Sequence, residues 1–248
     1  MRRYGLIGRS LAHSFSQRYF ERKFTLEHIV DAEYGLYELA DIADLESLLS
    51  TVSDLRGLNV TIPYKQAILP YLDSISLEAK DVGAVNCIDI CRGRMTGYNT
   101  DVEGIRSTLT ALTSGRMPHA ALILGSGGAS KAVQFVLSQW DIPYSLVSRD
   151  SAKGNLTYDE LDAEVMRAHD LIVNTTPLGM WPNVTDAPRL PYESLSHKHM
   201  IFDLIYNPEQ TALMQLASAR GAAVAGGMEM LVVQAEASWR IWNRQHLG

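Results

Sequence analysis

The stretch Gly125-Ser-Gly-Gly-Ala-Ser130 has the residue types and spacing to hold a phosphate. Glycines permit a tight turn and let the backbone come close to a pyrophosphate, and the N-terminus of a following helix offers unpaired N–H groups and a partial positive charge. The flanks suit that chemistry. Ala120-Ala-Leu-Ile-Leu124 reads as a buried parallel strand, and Ala132, Val133, Val136 and Leu137 recur at helical spacing as far as Trp140. Ser130 stands where a dinucleotide fingerprint has its third glycine, so the loop alone leaves an ordinary strand-to-helix turn open.

If the loop holds a dinucleotide, the end of the next strand selects it. An acid there accepts from the ribose 2′-hydroxyl of NAD, whereas a cation accommodates the 2′-phosphate of NADP. The chain has Val147-Ser148-Arg149-Asp150, with Lys153 shortly after. Ser148 is not an acid, and the planar guanidinium of Arg149 suits a phosphate. This favours NADP(H), with Asp150 as the opposing feature that keeps NAD in play.

Further polar residues follow predicted strands. Ser10, Ser14 and Ser16 lie between a strand over Arg3–Gly8 and a helix over Gln17–Phe24. Ser14 or Ser16 caps that helix, or both bind a carboxylate; sequence physics favours the cap. Lys65 follows a strand over Leu58–Ile62 that Pro63 ends, which puts it in the first turn of a helix, where a cation is disfavoured. Surface solvation is one reading of Lys65, and a ligand at a strand end is the other. Asn86 falls in the apolar stretch Val82–Ile90, where an unpaired amide costs about 1–3 kcal/mol, so it has a partner, backbone or ligand. Asp101 opens a helix over Val102–Leu112 and could be only its N-cap.

The elements that must position these residues fall into two groups. A strand over Glu33–Leu39, a helix over Asp41–Val52 with Ile42, Leu45, Leu48 and Leu49 on one face, a helix over Leu77–Asp81, a turn at Arg92-Gly-Arg94 and a strand over Met95–Asp101 complete a small α/β domain. After it the pattern becomes repeated strand–helix units, with strands at Ala120–Leu124, Tyr144–Ser148, Asp170–Asn174, Met200–Leu204 and Ala222–Ala225, a Rossmann-like sheet. A long amphipathic helix, Met228–Gln245, carries Trp239 and Trp242 and can return to the first domain. The predicted architecture is α/β, with a first α/β domain over 1–101 completed by 228–248 and a Rossmann-like domain over 102–227.

Composition agrees with this architecture. The chain has 248 residues, 46% of them hydrophobic, enough for two modest domains. Its net charge is −6 and no basic run stands out, so nucleic acid is not an expected partner. No apolar run approaches a membrane span, and the N-terminus starts like a strand rather than a signal peptide. Cys87 and Cys91 lack the companions of a metal set and read as free thiols in a reducing cytoplasm.

Ser14-x-Ser16, Asn59-Val-Thr-Ile-Pro-Tyr-Lys65, Gly83-Ala-Val-Asn86, Tyr98-Asn-Thr-Asp101, Gly125–Ser130, Asn174-Thr-Thr-Pro-Leu-Gly-Met180 and Gly226–Gln234 occur in this order. Together they resemble the shikimate dehydrogenase family, nearly end to end. The resemblance implies NADPH-dependent reduction of 3-dehydroshikimate to shikimate, in the chorismate pathway to the aromatic amino acids. It implies that Ser14 and Ser16 bind the substrate carboxylate, that Thr61, Lys65, Asn86, Asp101 and Gln234 bind ring hydroxyls, and that Tyr206 lies near the substrate. Lys65 and Asp101 match the catalytic pair. Gly125, Ser126, Gly127, Gly128 and Ala129 match the pyrophosphate loop, Arg149 the 2′-phosphate ligand with Ser148 and Lys153 beside it, and Thr175, Leu204, Gly227 and Met230 further cofactor contacts, the last two beside the nicotinamide. The sequence departs from the family at Gln17 (usually Pro), at Cys87 (usually Thr), at Ser148-Arg149-Asp150 (commonly Asn-Arg-Thr) and at Val102-Glu103-Gly104, where an immediate Gly is usual.

The chemistry fits. Hydride delivery to a ketone leaves an oxyanion that must gain a proton, and a lysine ammonium can stabilise and protonate it. Alternatives are a quinate/shikimate dehydrogenase using NAD, kept open by Asp150, and a nucleotide- or shikimate-binding protein without turnover. The expected partner is a small molecule, and the expected state a cytoplasmic monomer or homodimer.

Overall fold

Short apolar runs and alternating stretches fold into two sheets, each in its own unit of the chain. The computed structural model describes residues 1–12 and 14–244. Unit 1 comprises Met1–Thr100 and Ala235–Gly248, and unit 2 comprises Asp101–Gln234.

Unit 1 runs β1 (Arg2–Gly8), α1 (Phe15–Leu26), β2 (Ala32–Glu38), α2 (Leu45–Thr51), β3 (Leu55–Val60), α3 (Tyr64–Ala67), β4 (Ser74–Ile75), α4 (Leu77–Val82), β5 (Cys87–Cys91) and β6 (Arg94–Tyr98). Its six-stranded sheet has the order β2-β1-β3-β5-β6-β4. β1 lies parallel to both β2 and β3, while β5 is antiparallel to β3 and to β6. Alternation along β1 sends Ile7 to one face, with Leu45, Leu58, Val60, Ile68 and Ile88, and Tyr4 to the other. On that second face Tyr4 packs with Phe20, Tyr34 and the C-terminal Trp242, which stacks on Tyr4 at 4.9 Å. Trp242 also explains Gly57: a Cβ there would lie 2.1 Å from its indole nitrogen. The β5–β6 hairpin turns through Arg92 and Gly93 at φ of 50° and 76°, the left-handed pair that a two-residue hairpin requires.

Several boundaries differ from the sequence expectation. β3 stops at Val60 rather than Ile62, because Thr61 already turns the chain and its carbonyl accepts from the Tyr64 N–H at 2.9 Å. α4 continues through Val82 to a left-handed cap at Gly83, so the strand begins at Cys87 and Asn86 precedes it. The helix expected over Asp41–Val52 opens as a tight turn, Ile42–Asp44, closed by a capping box from Asp41, before α2 proper.

Unit 2 runs α5 (Asp101–Thr113), β7 (Ala121–Leu124), α6 (Gly128–Gln139), β8 (Tyr144–Val147), α7 (Ala163–Ala168), β9 (Leu171–Asn174), β10 (Met200–Asp203), α8 (Ala212–Ser218), β11 (Ala223–Ala225) and the first residues of α9 (Gly227–Asn243). The five-stranded sheet has the order β11-β10-β9-β7-β8, and every pair is parallel. β7, β9 and β10 are buried at every residue, as a parallel sheet covered on both faces requires. The order reverses at β7, which has β8 on one side and β9 on the other. That switch point is where ligands bind in open α/β sheets.

The division of the chain falls before Asp101 and within α9, not before Val102 and Met228. Asp101 is already in the first turn of α5 rather than capping it from outside. The first turns of α9 pack on unit 2: a Cβ at Gly104 would meet the Met230 carbonyl at 2.5 Å, and one at Gly227 the Leu204 carbonyl at 2.1 Å. Gln245, the expected end of the last helix, and residues 246–248 lie outside the described residues. Among the described residues no helix is long and apolar enough to cross a membrane.

Candidate active site

In unit 2 the carboxyl ends of the parallel strands share one edge, and every cofactor residue expected from the sequence follows one of them. Gly125 leaves β7 at φ +99°, and a Cβ there would crowd Thr176 Cγ2 and Thr175 Oγ1 at 2.9 and 3.0 Å. Gly127, the N-cap of the 12-residue α6, has an ordinary extended backbone, and a Cβ there would meet nothing within 4 Å. Gly125 is therefore needed by the turn itself, whereas Gly127 has no internal reason to be glycine. Open space over a backbone at a helix N-terminus is what a pyrophosphate cradle requires. Ser126 precedes this point, and Gly128 and Ala129 form the first turn of α6. Ser130 is fully buried, and its hydroxyl donates to the Gly127 carbonyl at 2.6 Å, so the departure from the glycine fingerprint is absorbed inside the protein.

After β8, the buried Ser148 hydroxyl accepts from the Asp150 N–H at 3.2 Å. The Asp150 carboxylate turns back to accept from the Ala152 N–H at 3.0 Å and pairs with Lys153 at 3.5 Å. The acid that opposed NADP is thus occupied by its own turn. Arg149 is exposed and makes no hydrogen bond or ion pair among the described residues. Lys153 is directed to Asp150 rather than standing alone as a second cation.

Thr175, after β9, donates its hydroxyl proton to the Leu124 carbonyl at 2.7 Å and so pins the glycine loop. Leu204 follows β10, and its carbonyl closes over Gly227, whose N–H donates to the Ile205 carbonyl at 2.9 Å. Close packing therefore accounts for glycine at 227 and for the buried Met230 against Gly104. Tyr206 is partly exposed beyond β10, and the buried Gln234 donates to the Leu231 carbonyl at 3.0 Å.

Unit 1 gathers the remaining residues at one edge of its own sheet. β1 and β3 end there, antiparallel β5 begins there, and β6 ends there. Ser14 caps α1, accepting from the Ser16 N–H at 3.2 Å, and α1 starts at Phe15, so Gln17 falls within its first turn without disturbing its start. Ser16 is buried with its hydroxyl at that of Tyr34. Thr61 donates its N–H to the Ile7 carbonyl at 2.9 Å, and its methyl lies 2.6 Å from where a Cβ on Gly8 would be. Lys65 is partly exposed, with its carbonyl accepting from the Val85 N–H at 2.8 Å. Its helix, α3, has only 4 residues and so little macrodipole to oppose the ammonium.

Asn86 finds the backbone partner anticipated from its burial: Oδ1 accepts from the Thr100 N–H at 2.7 Å, and Nδ2 donates to Thr100 Oγ1 at 3.0 Å. Beneath it runs a buried polar chain that sequence reasoning missed. The Tyr34 hydroxyl donates to Asn59 Oδ1 at 2.9 Å, and Asn59 Nδ2 donates to Ser238 Oγ at 2.8 Å and to the Asn86 carbonyl at 3.2 Å. Ser238 Oγ in turn lies 3.2 Å from Thr100 Oγ1. The available signal was Asn59 itself, an amide in an apolar strand. Cys87 is fully buried, and burial pushes its thiol up to about 12, so it packs as a small apolar residue beside Ser238.

The structure thus brings Ser14, Ser16, Thr61, Lys65 and Asn86 to one edge of unit 1, and the residues expected to hold the cofactor, with Tyr206, to one edge of unit 2. Asp101 is buried at the start of α5 in unit 2, next in the chain to Thr100. Among the described residues no group of three or more His, Cys, Asp or Glu side chains could hold a metal ion.

Residues 6–88 match the shikimate dehydrogenase substrate binding domain. The NADP-dependent shikimate dehydrogenase of Clostridium beijerinckii is 37% identical over 98% of this chain and 93% of its own. A structure of shikimate 5-dehydrogenase from Thermus thermophilus in complex with NADP(H) and shikimate is 32% identical with a TM-score of 0.83, covering 98% of this chain and 94% of that one. Quinate dehydrogenase from Corynebacterium glutamicum in complex with NAD is similar in fold, at a TM-score of 0.87, 27% identity and coverage of 98% and 94%.

Proposed function

The chain belongs to the shikimate dehydrogenase family, and we propose that in its reaction Lys65 and Asp101 form the acid/base pair at the C3 oxygen of the substrate. The reaction is the reversible NADPH-dependent reduction of 3-dehydroshikimate to shikimate. The observation that carries the assignment of residues is the convergence of Ser14, Ser16, Thr61, Lys65 and Asn86 on one sheet edge of unit 1.

Bound NADPH supplies the hydride. The Gly125–Ala129 loop and the start of α6 hold its pyrophosphate, and Arg149 takes the 2′-phosphate as a planar donor. On the substrate side, the Lys65 ammonium donates a hydrogen bond to the ketone oxygen and gives it a proton as negative charge develops there. In the reverse direction neutral Lys65 takes that proton back from the substrate hydroxyl, with the Asp101 carboxylate as the anionic member of the proposed pair. Capping by Ser14 is compatible with carboxylate binding. Its oxygen accepts from Ser16 N–H, and its own O–H still has a proton to donate to an anion. Asn86 is fixed by Thr100 and offers its amide to a ring hydroxyl. We place the enzyme in the cytoplasm, where the free thiols Cys87 and Cys91 remain reduced.

Absorbance of the reduced nicotinamide, with shikimate or quinate and NADP or NAD, tests the reading. Turnover with shikimate and NADP is expected, and Lys65→Ala should lower kcat about 10²–10⁴-fold with little change in KM. Unchanged kcat with raised KM would make Lys65 a binding residue. Turnover mainly with quinate and NAD would replace the substrate and cofactor assignment, and tight NADP binding without turnover would make the chain a binding protein.

A further inference from the structure

β9 and β10 are buried, apolar parallel strands, yet each ends in a polar residue with no exposure, Asn174 and Asp203, placed opposite one another in register. Such residues are costly inside a protein unless their bonds are made. Here they are made, and between them they reach the loops that follow both strands. Asn174 Oδ1 accepts from Thr176 N–H at 3.0 Å and Thr176 Oγ1 at 2.7 Å, which turns the chain just after Thr175. Asn174 Nδ2 donates to Asp203 Oδ1 at 3.0 Å. The same oxygen accepts from Ile205 N–H at 3.2 Å, which turns the chain after β10. Asp203 Oδ2 accepts from the fully buried Thr211 hydroxyl at 2.7 Å, and Thr211 caps α8 by accepting from Met214 N–H at 3.3 Å.

Two of these loops carry expected cofactor residues, and a third depends on them. Thr175 lies between Asn174 and Thr176 and pins the glycine loop through Leu124. Leu204 lies between Asp203 and Ile205, and Ile205 and Leu204 together receive Gly227 at the start of α9. We infer that Asp203 is the positioning residue of the nucleotide site: its two carboxylate oxygens set the loops after β9 and β10, and through them Thr175, Leu204, Tyr206 and Gly227. The inference rests on the proposed function, because it assigns those loops to NADP. Asp203 touches neither cofactor nor substrate in this assignment and acts only through the loops. Burial is the largest influence on its carboxyl and pushes it up, with hydrogen bonds from Thr211, Ile205 and Asn174 offsetting part of that rise.

The test is NADP binding by calorimetry to the full chain, with shikimate binding measured separately and thermal unfolding as the check on folding. Asp203→Ala removes every acceptor. It should weaken NADP at least tenfold and shikimate binding to the NADP-free protein by clearly less, because Tyr206 is the one substrate residue on those loops. Asp203→Asn keeps an oxygen for Asn174 and Ile205, and Thr211 can accept in place of donating, so NADP affinity should return to within about threefold of wild type. If Asp203→Ala does not fold, Asn174→Ala, which cuts only the link to the β9 loop, should still weaken NADP at least threefold. A lowered melting temperature with NADP affinity within twofold of wild type would overturn the inference and leave Asp203 a stability residue. An Asp203→Asn variant as weak as Asp203→Ala would also overturn it, because charge rather than acceptor geometry would then be at work. Failure of the wild-type chain to bind NADP would instead remove the functional reading beneath it.

Discussion

Gly125 and Gly127 sit two residues apart, yet substituting alanine at each should have opposite consequences. At Gly127 the backbone has φ −81° and ψ −174°, open to any residue, and the added methyl meets no protein atom within 4 Å. Gly127→Ala should therefore leave the free protein as stable as before, or about 0.4–1 kcal/mol more so because the unfolded chain loses freedom. At about 2–4 °C per kcal/mol for a chain of this size, the melting temperature should be unchanged or up to about 4 °C higher. In the proposed site the same methyl stands where a phosphate oxygen approaches the backbone, so NADP affinity should fall at least tenfold, about 1.4 kcal/mol. At Gly125, φ is +99°, and the methyl would also press on Thr176 and Thr175 at 2.9 and 3.0 Å. Backbone strain of about 1–3 kcal/mol precedes any ligand effect, and melting should fall by several degrees. Differential scanning fluorimetry with and without NADP, followed by calorimetric titration, separates the two. Wild-type NADP affinity in Gly127→Ala would refute the argument that this open position is reserved for a ligand.

Arg149→Ala should lower kcat/KM for NADP about 10–100-fold, the worth of a hydrogen bond to a charged group, and leave NAD unaffected. Asp150→Ala should change neither by more than a few-fold, because that carboxylate serves Ala152 and Lys153; steady-state kinetics with both cofactors would expose the opposite result. Burial alone would raise the Glu236 carboxyl, but hydrogen bonds from Tyr19 and Lys23 outweigh it and hold the group below its ordinary value. A depressed carboxyl stabilises the fold above its unfolded pKa and loses that contribution as pH falls through its folded value. Urea unfolding of Glu236→Gln should thus show a deficit of about 1 kcal/mol at pH 7, discounted for partial exposure, that shrinks once the pH falls below the ordinary glutamate range and closes as the lowered carboxyl is protonated. A deficit that does not change with pH would count against the ion pair. Ser238→Ala removes one partner from Asn59 and one from Thr100, so stability should fall by about 1–3 kcal/mol and KM for shikimate should rise with NADP affinity intact. A KM equal to wild type would detach Ser238 from the substrate edge.

The strands of unit 2 were legible because fully buried parallel strands read as continuous apolar runs, and Ala121–Leu124, Leu171–Asn174 and Met200–Asp203 are such runs. Unit 1 was less so. Ala84 and Val85 are buried and apolar without being in a strand, because Gly83 closes α4 in a left-handed conformation just before them. Asp150 could not be judged from its type and position, since the direction of its carboxylate is set by the turn it caps. The resemblance named Gly227 and Met230 for the cofactor, and the structure supplies packing reasons that residue types alone could not reveal. The link between Asn59 and Ser238 spans 179 residues, and no local pattern pairs residues so far apart.

Both units solve the same physical problem in the same way. A ligand site at strand ends needs loops held in one arrangement, but loops lack the ladder bonds that fix strands. Each unit carries side-chain bonds past the end of the sheet from buried polar residues: Asn59 and Asn86 in unit 1, Asn174 and Asp203 in unit 2. An amide offers donors and acceptors at once, so it can bind a neighbouring loop without leaving either atom idle. The arrangement is demanding, because a half-satisfied buried network is worse than an apolar one. That demand is also its use. A loop displaced by an ångström would break several bonds together, so the low-energy arrangement is sharply defined. The side chains proposed to face the ligands, Lys65, Arg149 and Ser126, can then remain solvent-accessible while the backbone beneath them stays fixed.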